Sequence, residues 1–445
     1  MRMHSAAWGL VALLSGLPAS AQTDRSRQPT VTYAKDVAPI FQRKCEVCHR
    51  PGAMAPMSLI SYPEVRPWIR SIRARVAARE MPPWHLDKTV GIQHYKNDRS
   101  LTDAELQTVL AWIDAGAPMG DARQLPPPVH WPADDVWQLA AEFGQPDLIV
   151  KTPSYTMPAK APDAWLVPVV PTGLTEDRWV RAIETRPSVR GRRIVHHADT
   201  FLIQDDDDAS VNFIGTRIEV PPGGMHFSEW AVNKNGEIFR ENTGKLMKAG
   251  AKIRFDLHYH AVGEEITDQV EVAFYFYPRN VTPKYRVYMG ALGPTTNGGE
   301  RQLDIPPGQV VTTHGYYPLK RPARLENFQP HMHMRGKAAA IEAIYPDGRT
   351  QLLSYVDRFD FNWHVNYVYA DDAAPVLPTG SVIHVMAVHD NSAANKNNPD
   401  PTQWVGFGAR STDEMFHHWV NITFLTDDDY AAITARRTAQ HQPPR

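Results

Sequence analysis

The chain has only two cysteines in 445 residues, and beyond its N-terminal stretch it has no long uninterrupted apolar run. Two cysteines can form at most one disulfide, so a disulfide framework is excluded. A membrane-spanning helix needs about 20 consecutive apolar residues, and we therefore expect no membrane span in the mature chain. Lysine plus arginine (47) nearly balances aspartate plus glutamate (49), without a basic block, so nucleic acid is not an expected partner.

The N-terminal stretch, MRMHSAAWGLVALLSGLPASAQ, combines a short basic start, an apolar run and the small residues Ala19-Ser20-Ala21. This pattern is typical of an export signal that is cleaved after Ala21. We predict that residues 1–21 are a signal peptide and that the mature protein is periplasmic or secreted.

The 38 prolines and 27 glycines punctuate a chain with few long helical periodicities after residue 120. This favours β-structure with many turns. Alternating apolar residues at 252–260, 270–278 and 419–427 predict strands. The length suggests about three domains. We expect two tandem all-β sandwiches, at 145–284 and 285–435, with a boundary in 278–284.

Both cysteines lie in one motif, Cys45-Glu46-Val47-Cys48-His49. A C-x-x-C-H run is the attachment signature of c-type haem, in which the thiols bind the vinyl groups and the histidine binds the iron. A redox-active dithiol is the alternative. Helical spacing on both sides of the motif, and Thr102 with Glu105 in capping-box register, predict a small α-helical cytochrome c domain over residues 29–122.

The sixth haem ligand is open among several residues. Met81 lies in REMPPWH, where the following prolines make a rigid extended loop, and we predict that it binds the iron opposite His49. Met54, Met57 and His85 are alternatives. The next segment, 123–144, contains three consecutive prolines and predicts a semi-rigid linker.

Histidines are clustered in the β-rich part: His196 with His197, His258 with His260, and His331 with His333. Residues i and i+2 of a strand face the same side, so an H-x-H pair can close on one metal. Adjacent histidines point to opposite sides of an ideal strand, so a shared metal at His196 and His197 requires a twisted or bulged backbone. Imidazole alone suits several metals, whereas an added thioether, from Met386 or Met415, selects Cu(I).

In order along the chain, HHAD (196–199), LHYH (257–260), HMHMRGK (331–337) and STDEM (411–415) resemble the copper motifs of the type II ascorbate-dependent monooxygenases. This is the group of peptidylglycine α-hydroxylating monooxygenase and dopamine β-monooxygenase. The resemblance spans roughly residues 145–430 and rests on four short motifs in the same order with similar gaps.

The resemblance implies two tandem jelly-roll-like sandwiches that each hold one copper ion. The first copper would take His196, His197 and His258, with His260 as a neighbour. The second would take His331, His333 and Met415, which would be the catalytic residues. The implied reaction is hydroxylation of a substrate C–H bond with O2. The predicted cofactors are therefore two copper ions and a covalent haem c, with ascorbate or an exported redox carrier as electron donor.

Two positions depart from the peptide-processing members of that family, in which a substrate carboxylate is held by an arginine. Here that position is Gln329, and their tyrosine after the copper methionine is Trp419. A peptide is therefore a doubtful substrate, and we expect a small organic molecule.

Two other functions compete with a haem-linked dicopper monooxygenase. A non-catalytic haem and copper protein that carries electrons or binds copper is the main alternative, although the unequal ligand sets favour catalysis. A zinc hydrolase is disfavoured, because no glutamate adjoins an H-x-x-x-H pair.

Overall fold

The computed structural model describes residues 31–53, 55–205, 225–231, 234, 236–294 and 303–440. The predicted signal peptide and the candidate ligand Met54 lie outside the described residues. Among the described residues, no helix is both long enough and apolar enough to cross a membrane.

Most helical residues precede the β-structure. One turn of π-helix at Tyr33–Val37 continues directly into the first α-helix. The helices are α1 (Ala38–Lys44), α2 (Tyr62–Val65), α3 (Ile69–Ala77), α4 (Asp103–Asp114), α5 (Ala140–Phe143) and α6 (Asp427–Gln440), with 3₁₀ turns at Arg66–Trp68, Ala122–Gln124 and Gly191–Arg193. The predicted capping box is confirmed at the start of α4, where Glu105 N donates to Thr102 Oγ1 and Thr102 N donates to Glu105 Oε2. Tyr33, Phe41 and Trp112 form the centre of a core between these helices.

The first β-rich half lies between residues 148 and 276. Its strands are β1 (Leu148–Lys151), β2 (Tyr155–Met157), β3 (Ala164–Leu166), β4 (Val169–Pro171), β5 (Arg178–Arg186), β6 (Val195–Ile203), β7 (Met225–Ala231), β8 (Glu237–Ile238), β9 (Thr243–Met247), β10 (Lys252–Tyr259), β11 (Ile266–Asp268) and β12 (Glu271–Phe276). Strands β1, β12, β5 and β9 pair in that order, and β3, β10, β6 and β7 form a second sheet. Apolar side chains of both sheets, such as Ile183 and Phe255, share one core.

The second β-rich half follows the same plan. Its strands are β13 (Tyr285–Leu292), β14 (Asp304–Ile305), β15 (Val310–Pro318), β16 (Ala323–Leu325), β17 (Asn327–His331), β18 (Gly336–Ile344), β19 (Thr350–Val356), β20 (Tyr367–Val368), β21 (Val376–Leu377), β22 (Val382–Asp390), β23 (Val405–Gly406) and β24 (His417–Phe424). Strands β15, β22, β18 and β19 form a four-stranded sheet, and its apolar face shares a core with β17 and β24. The expectation of a mostly β chain with several sheets is confirmed.

The two halves are joined by backbone hydrogen bonding. Strand β9 of the first half pairs in parallel with β13 of the second, with Tyr285 opposite Thr243, so an eleven-stranded sheet runs through both halves. Their relative position is therefore fixed close to the predicted boundary.

Two segments before residue 145 pack against the β-structure. Residues 84–96 contact the second half: Trp84, Leu86 and Tyr95 belong to its core, and Ile92 N donates to Leu353 O. Part of the predicted haem domain range thus packs against the second half. In the predicted linker, Trp137 and Leu139 are buried against the first half, so the end of this segment is anchored.

Candidate metal centres

The first histidine cluster is built by neighbouring strands. His196 and His197 lie on β6, and His258 lies on β10 directly opposite His197. The register between these strands shifts at this point, because Tyr259 is opposite Val195, which leaves His196 as the extra residue of a bulge. The bulge that the sequence required for two adjacent histidines to share a metal is present.

The geometry of this cluster fits one metal ion. One ring nitrogen from each of His196, His197 and His258 lies within 4.8 Å of the others, and the Nδ1 atoms of His196 and His197 are 3.1 Å apart. Tetrahedral metal–nitrogen bonds of about 2.0 Å place ligand nitrogens roughly 3.3 Å apart. Burial lowers the pKa of His196 to about 3 and that of His197 to about 4, so both imidazoles are neutral and able to bind a metal.

His258 is oriented by two neighbours. Its Nε2 is hydrogen bonded to Asp163 Oδ2 at 2.8 Å, and its ring stacks on Trp165 at 4.6 Å between centroids. Because Nε2 is engaged, Nδ1 is the nitrogen left for a metal. His260 lies just after the strand, is exposed, and contacts the other oxygen of Asp163 at 2.7 Å. This agrees with its expected place as a neighbour and not as a ligand.

The second cluster contains His331 and His333, with ring centroids 5.4 Å apart. His331 ends β17, whereas His333 lies in the turn that follows, so the pair does not sit on one regular strand face as the sequence pattern suggested. Both rings are buried. Burial, with His417 and His364 nearby, lowers the pKa of His331 well below its ordinary value, and the buried His331 Nδ1 has no hydrogen-bond partner among the described residues.

A buried carboxylate brings the Met415 segment to His333. Glu414 Oε2 accepts a hydrogen bond from His333 N (2.9 Å), and Oε1 accepts one from Arg335 N (2.6 Å). Met415, which is half-buried, directly follows Glu414 in the chain, and Glu414 contacts the second cluster. His389 Nε2 is 3.1 Å from Met415 O and holds the same segment from the other side.

The other methionine candidate, Met386, lies elsewhere. Strand residues alternate between faces, and Val385 and Ala387 point into the core of the second half. Met386 therefore shares the outer face of the four-stranded sheet with His384, whose ring stacks on Tyr316. This position favours Met415 as the sulfur ligand.

The loop between β19 and β20 inserts two side chains between the histidine clusters. Phe361 stacks on His196 at 5.2 Å and meets His333 edge-on at 5.8 Å. His364 lies 5.9 Å from His196 and 4.7 Å from His331 between ring centroids. No pattern in the sequence indicates these residues, because a single histidine in DRFDFNWHVNY follows no ligand spacing.

Two residues that hold the turn after His331 were also missed. Arg335 is fully buried: its Nε donates to Asn391 Oδ1 (2.8 Å) and its Nη1 to Thr412 O (2.9 Å). Glu414 and Arg335 are charged residues flanking ligand motifs, which was the only available signal. They join the H-x-H turn to the loops at 389–401 and 411–415.

The C-x-x-C-H motif directly follows the first α-helix. Cys48 N and His49 N both donate to Cys45 O, which makes a tight turn, and neither cysteine is in a disulfide. His49 Nδ1 donates to Met57 O at 3.2 Å, so the ring is held with Nε2 available for iron. The residues present therefore fit a haem at this motif.

The two described methionine candidates for the sixth ligand differ in position. The Met57 backbone lies on the Nδ1 side of His49, which is the side away from an iron bound at Nε2. Met81 lines a small cavity with Leu101 and Leu106 of the helical core. This favours Met81, which stays a prediction. His85 is buried on the side of the second half, where its backbone N donates to Tyr367 Oη at 3.2 Å.

The positions that depart from the peptide-processing enzymes are buried between the halves. Gln329 Nε2 donates to Glu229, and its Oε1 accepts from Lys234 Nζ at 3.3 Å. Trp419 stacks on His226 with centroids 3.8 Å apart. Gln329 is 1% exposed, so it is not available to hold a substrate carboxylate.

Comparisons with known proteins do not identify a family. Neither a protein-family model nor a curated protein matches the sequence. Among solved structures, a putative α-L-fucosidase from Bacteroides ovatus is similar over 67% of this chain and 41% of its own, with 8% identity and a TM-score of 0.18. The VP2 subviral particle of infectious bursal disease virus is similar over 64% of this chain and 73% of its own, with 11% identity and a TM-score of 0.17. Oxalate decarboxylase from Bacillus subtilis covers 60% and 70%, with 8% identity and a TM-score of 0.12. Likenesses this weak support no inference about function.

Proposed function

We propose that this chain is an exported, haem-linked dicopper monooxygenase that hydroxylates a C–H bond of a small organic substrate with O2. In this proposal, residues 29–122 form a cytochrome c domain, 123–144 a linker, and 145–284 and 285–435 two jelly-roll-like copper domains of the type II ascorbate-dependent monooxygenase kind. The mature protein would be periplasmic or secreted.

The observation that carries the proposal is the convergence of His196, His197 and His258. These residues come from strands about sixty positions apart, yet one nitrogen of each lies within 4.8 Å of the others. Their imidazoles, of which those of His196 and His197 are neutral, fit copper, which accepts such ligands in both oxidation states. Asp163 behind His258 is the type of outer partner that metal-binding histidines have.

The second site differs in its donors. His331, His333 and Met415 would combine two imidazoles with a thioether, a set that favours Cu(I), the state that reacts with O2. When bound, the coppers would supply stored electrons and the centre that reacts with O2, and the haem would supply electron entry. Glu414, Arg335 and His389 keep the ligand segments in place. Phe361 lies between the clusters, in contact with His196 and His333.

Contacts between the helical region and the loop 357–366 support electron delivery from the haem. Arg358 Nη1 donates to Ala78 O at 3.0 Å, and Arg358 lines the same small cavity as Met81. Three residues later, Phe361 contacts both histidine clusters. The loop therefore spans from the predicted haem ligand to the predicted copper ligands. The donor to the haem would be an exported redox carrier or ascorbate.

The decisive experiment is metal analysis with copper EPR on the exported protein and on Met415→Ala. We expect two coppers per haem in the unchanged protein and selective perturbation of one site in the variant. Met386→Ala is the matched control and should leave both copper signals unchanged. Absence of copper binding, or equal effects of the two methionine variants, would contradict the assignment.

Catalysis is tested separately by single-turnover mixing. Reduced haem in the copper-loaded protein should be reoxidised when O2 and a substrate from a panel of small organic molecules are added, with hydroxylated product formed. If copper binds but no member of the panel gives product while the haem still exchanges electrons with copper, the non-catalytic electron carrier becomes the better description.

A further inference from the structure

His364 occupies a position that the proposed ligand sets do not use. It belongs to the loop between β19 and β20 and is 5% exposed, and neither of its ring nitrogens makes a hydrogen bond within the described part of the chain. An imidazole removed from water without hydrogen-bond partners is unfavourable, so such a group needs an explanation. Metal binding provides one.

The surroundings of His364 match those of the metal ligands. Its ring is nearly perpendicular to that of His331, at 79° and 4.7 Å, and to that of His196, at 87° and 5.9 Å. Within the first cluster, ring centroids are separated by 5.1 to 5.4 Å. The 4.7 Å separation of His364 from His331 is close to this spacing, whereas His196 of the first cluster is further away.

A carboxylate lies behind the ring, beyond hydrogen-bond length. His364 Nδ1 lies 3.7 Å from Glu229 Oε1, and Glu229 is itself buried and held by Gln329 and by Lys234, whose Nζ is 3.5 Å away. A carboxylate behind one ring nitrogen is the usual second contact of a metal-binding histidine, with the other nitrogen on the metal. Nε2 of His364 is therefore the nitrogen that faces the gap between the clusters.

We propose that His364 is an additional copper ligand of the second site, alongside His331 and His333, and that it links this site to the first. The inference rests on the proposed function, because it requires copper at His331 and His333. The ligand nitrogens of His364, His331 and His333 are not yet within 4.8 Å of one another, since among the described residues only the first cluster meets that limit. Binding therefore involves a small movement of the loop or of the His364 ring toward the metal.

The loop that carries His364 packs closely against the turn that follows His331. Phe359 N donates to Lys337 O at 2.8 Å, just after the H-x-H turn, and a β-carbon at Gly336 would lie 2.8 Å from Phe359 Cδ1. The loop is thereby held against the turn that carries His333. His364 reaches the second site from this anchor, five residues further along.

The test uses the full chain with His258→Ala, which leaves the second site as the only copper site. Copper is added, its affinity is measured by competition with a chromophoric chelator, and the nitrogen ligands of Cu(II) are counted by pulsed EPR. Adding His364→Ala should remove one imidazole nitrogen and weaken copper binding about 10- to 100-fold. Free imidazole should restore the missing nitrogen signal. Asn362→Ala, an exposed position of the same loop, should retain it.

The outcomes separate the inference from the proposed function. If copper binds with the same nitrogen count and affinity with and without His364, His364 is not a ligand and the proposed function stands. If the His258→Ala protein binds no copper although its circular dichroism is unchanged, the second site and the present inference both fail.

Discussion

Asp163 offers the sharpest test of the first metal centre, because it contacts a predicted ligand without contacting the metal position. Its Oδ2 is 2.8 Å from His258 Nε2, and its Oδ1 is 2.7 Å from His260 Nδ1. Burial raises the pKa of Asp163, but the hydrogen bonds from His260 and His258 outweigh this and lower the pKa overall. The group is therefore an anion that fixes the tautomer and the direction of His258.

The expected loss of copper affinity follows from the kind of hydrogen bond that is removed between Asp163 and His258. A hydrogen bond to a charged group contributes about 1.5–3 kcal/mol and a neutral one about 0.5–1.5 kcal/mol. Asp163→Asn keeps an acceptor but loses the charge, so it should weaken copper binding at the first site roughly fivefold, or about 1 kcal/mol. Asp163→Ala removes the acceptor and should weaken binding about 10- to 100-fold. The side chain is 29% exposed, which places the expected effects toward the lower ends of these ranges.

The assay is Cu(I) competition with a chromophoric chelator, combined with EPR of the Cu(II) form. His260→Ala is the matched control, because it removes the other contact of the same carboxylate and should change affinity less than twofold. His258→Ala should abolish the first copper signal. Wild-type affinity in Asp163→Ala, together with loss of copper in His258→Ala, would refute the idea that Asp163 orients the ligand. Equal losses in Asp163→Ala and His260→Ala would attribute the effect to the loop.

Three further predictions concern stability and pH. Glu414→Gln places an amide where two main-chain N–H groups donate, and should lower the free energy of unfolding by about 1–3 kcal/mol in denaturant titrations. Asp413→Asn keeps an acceptor for Arg410 N and weakens the ion pair with the exposed Arg410 side chain, so it should cost less than about 1 kcal/mol. Burial lowers the pKa of His418 to about 4 from 6.5. The contribution of its neutral ring to the free energy of unfolding is therefore complete above pH 6.5 and is lost as pH falls toward 4. His418→Phe should therefore reduce the loss in free energy of unfolding at acid pH by about 3 kcal/mol. Parallel curves of the free energy of unfolding against pH for wild type and variant would contradict this. Gly336→Ala should cost about 1–3 kcal/mol, because its β-carbon would lie 2.7 Å from Met332 Cβ, whereas Gly406→Ala has room and should stay within about 0.5 kcal/mol.

The sequence predicted the parts of the molecule that follow local rules. The capping box at Thr102 and Glu105 and the strands at 252–260 and 419–427 depend on residues close in the chain, and the structure has them. The bulge at His196 was required by a simple geometric argument about adjacent residues on a strand. These features need no knowledge of distant contacts.

Contacts between segments that are distant in the chain could not be predicted from the sequence in this way. Residues 84–96 lie between two helical stretches, and nothing in their pattern tells which core Trp84 and Tyr95 join. The parallel pairing of β9 with β13 joins strands from different halves, and a parallel register leaves no turn signal in the sequence. His364 lies in an aperiodic loop, so only its neighbours in three dimensions indicate a role.

The buried contacts between the halves determine how close the two histidine clusters lie. Glu229 of the first half holds Gln329 of the second, while Phe361 and His364 of the second half touch His196 of the first. Glu229, Gln329 and His364 are buried, so separating the halves would expose a carboxylate and an imidazole together. Such a change would be cooperative, because the hydrogen bonds of a buried polar network are lost together. The distance between the two histidine clusters is therefore a property of the contact between the halves, and neither cluster determines it alone.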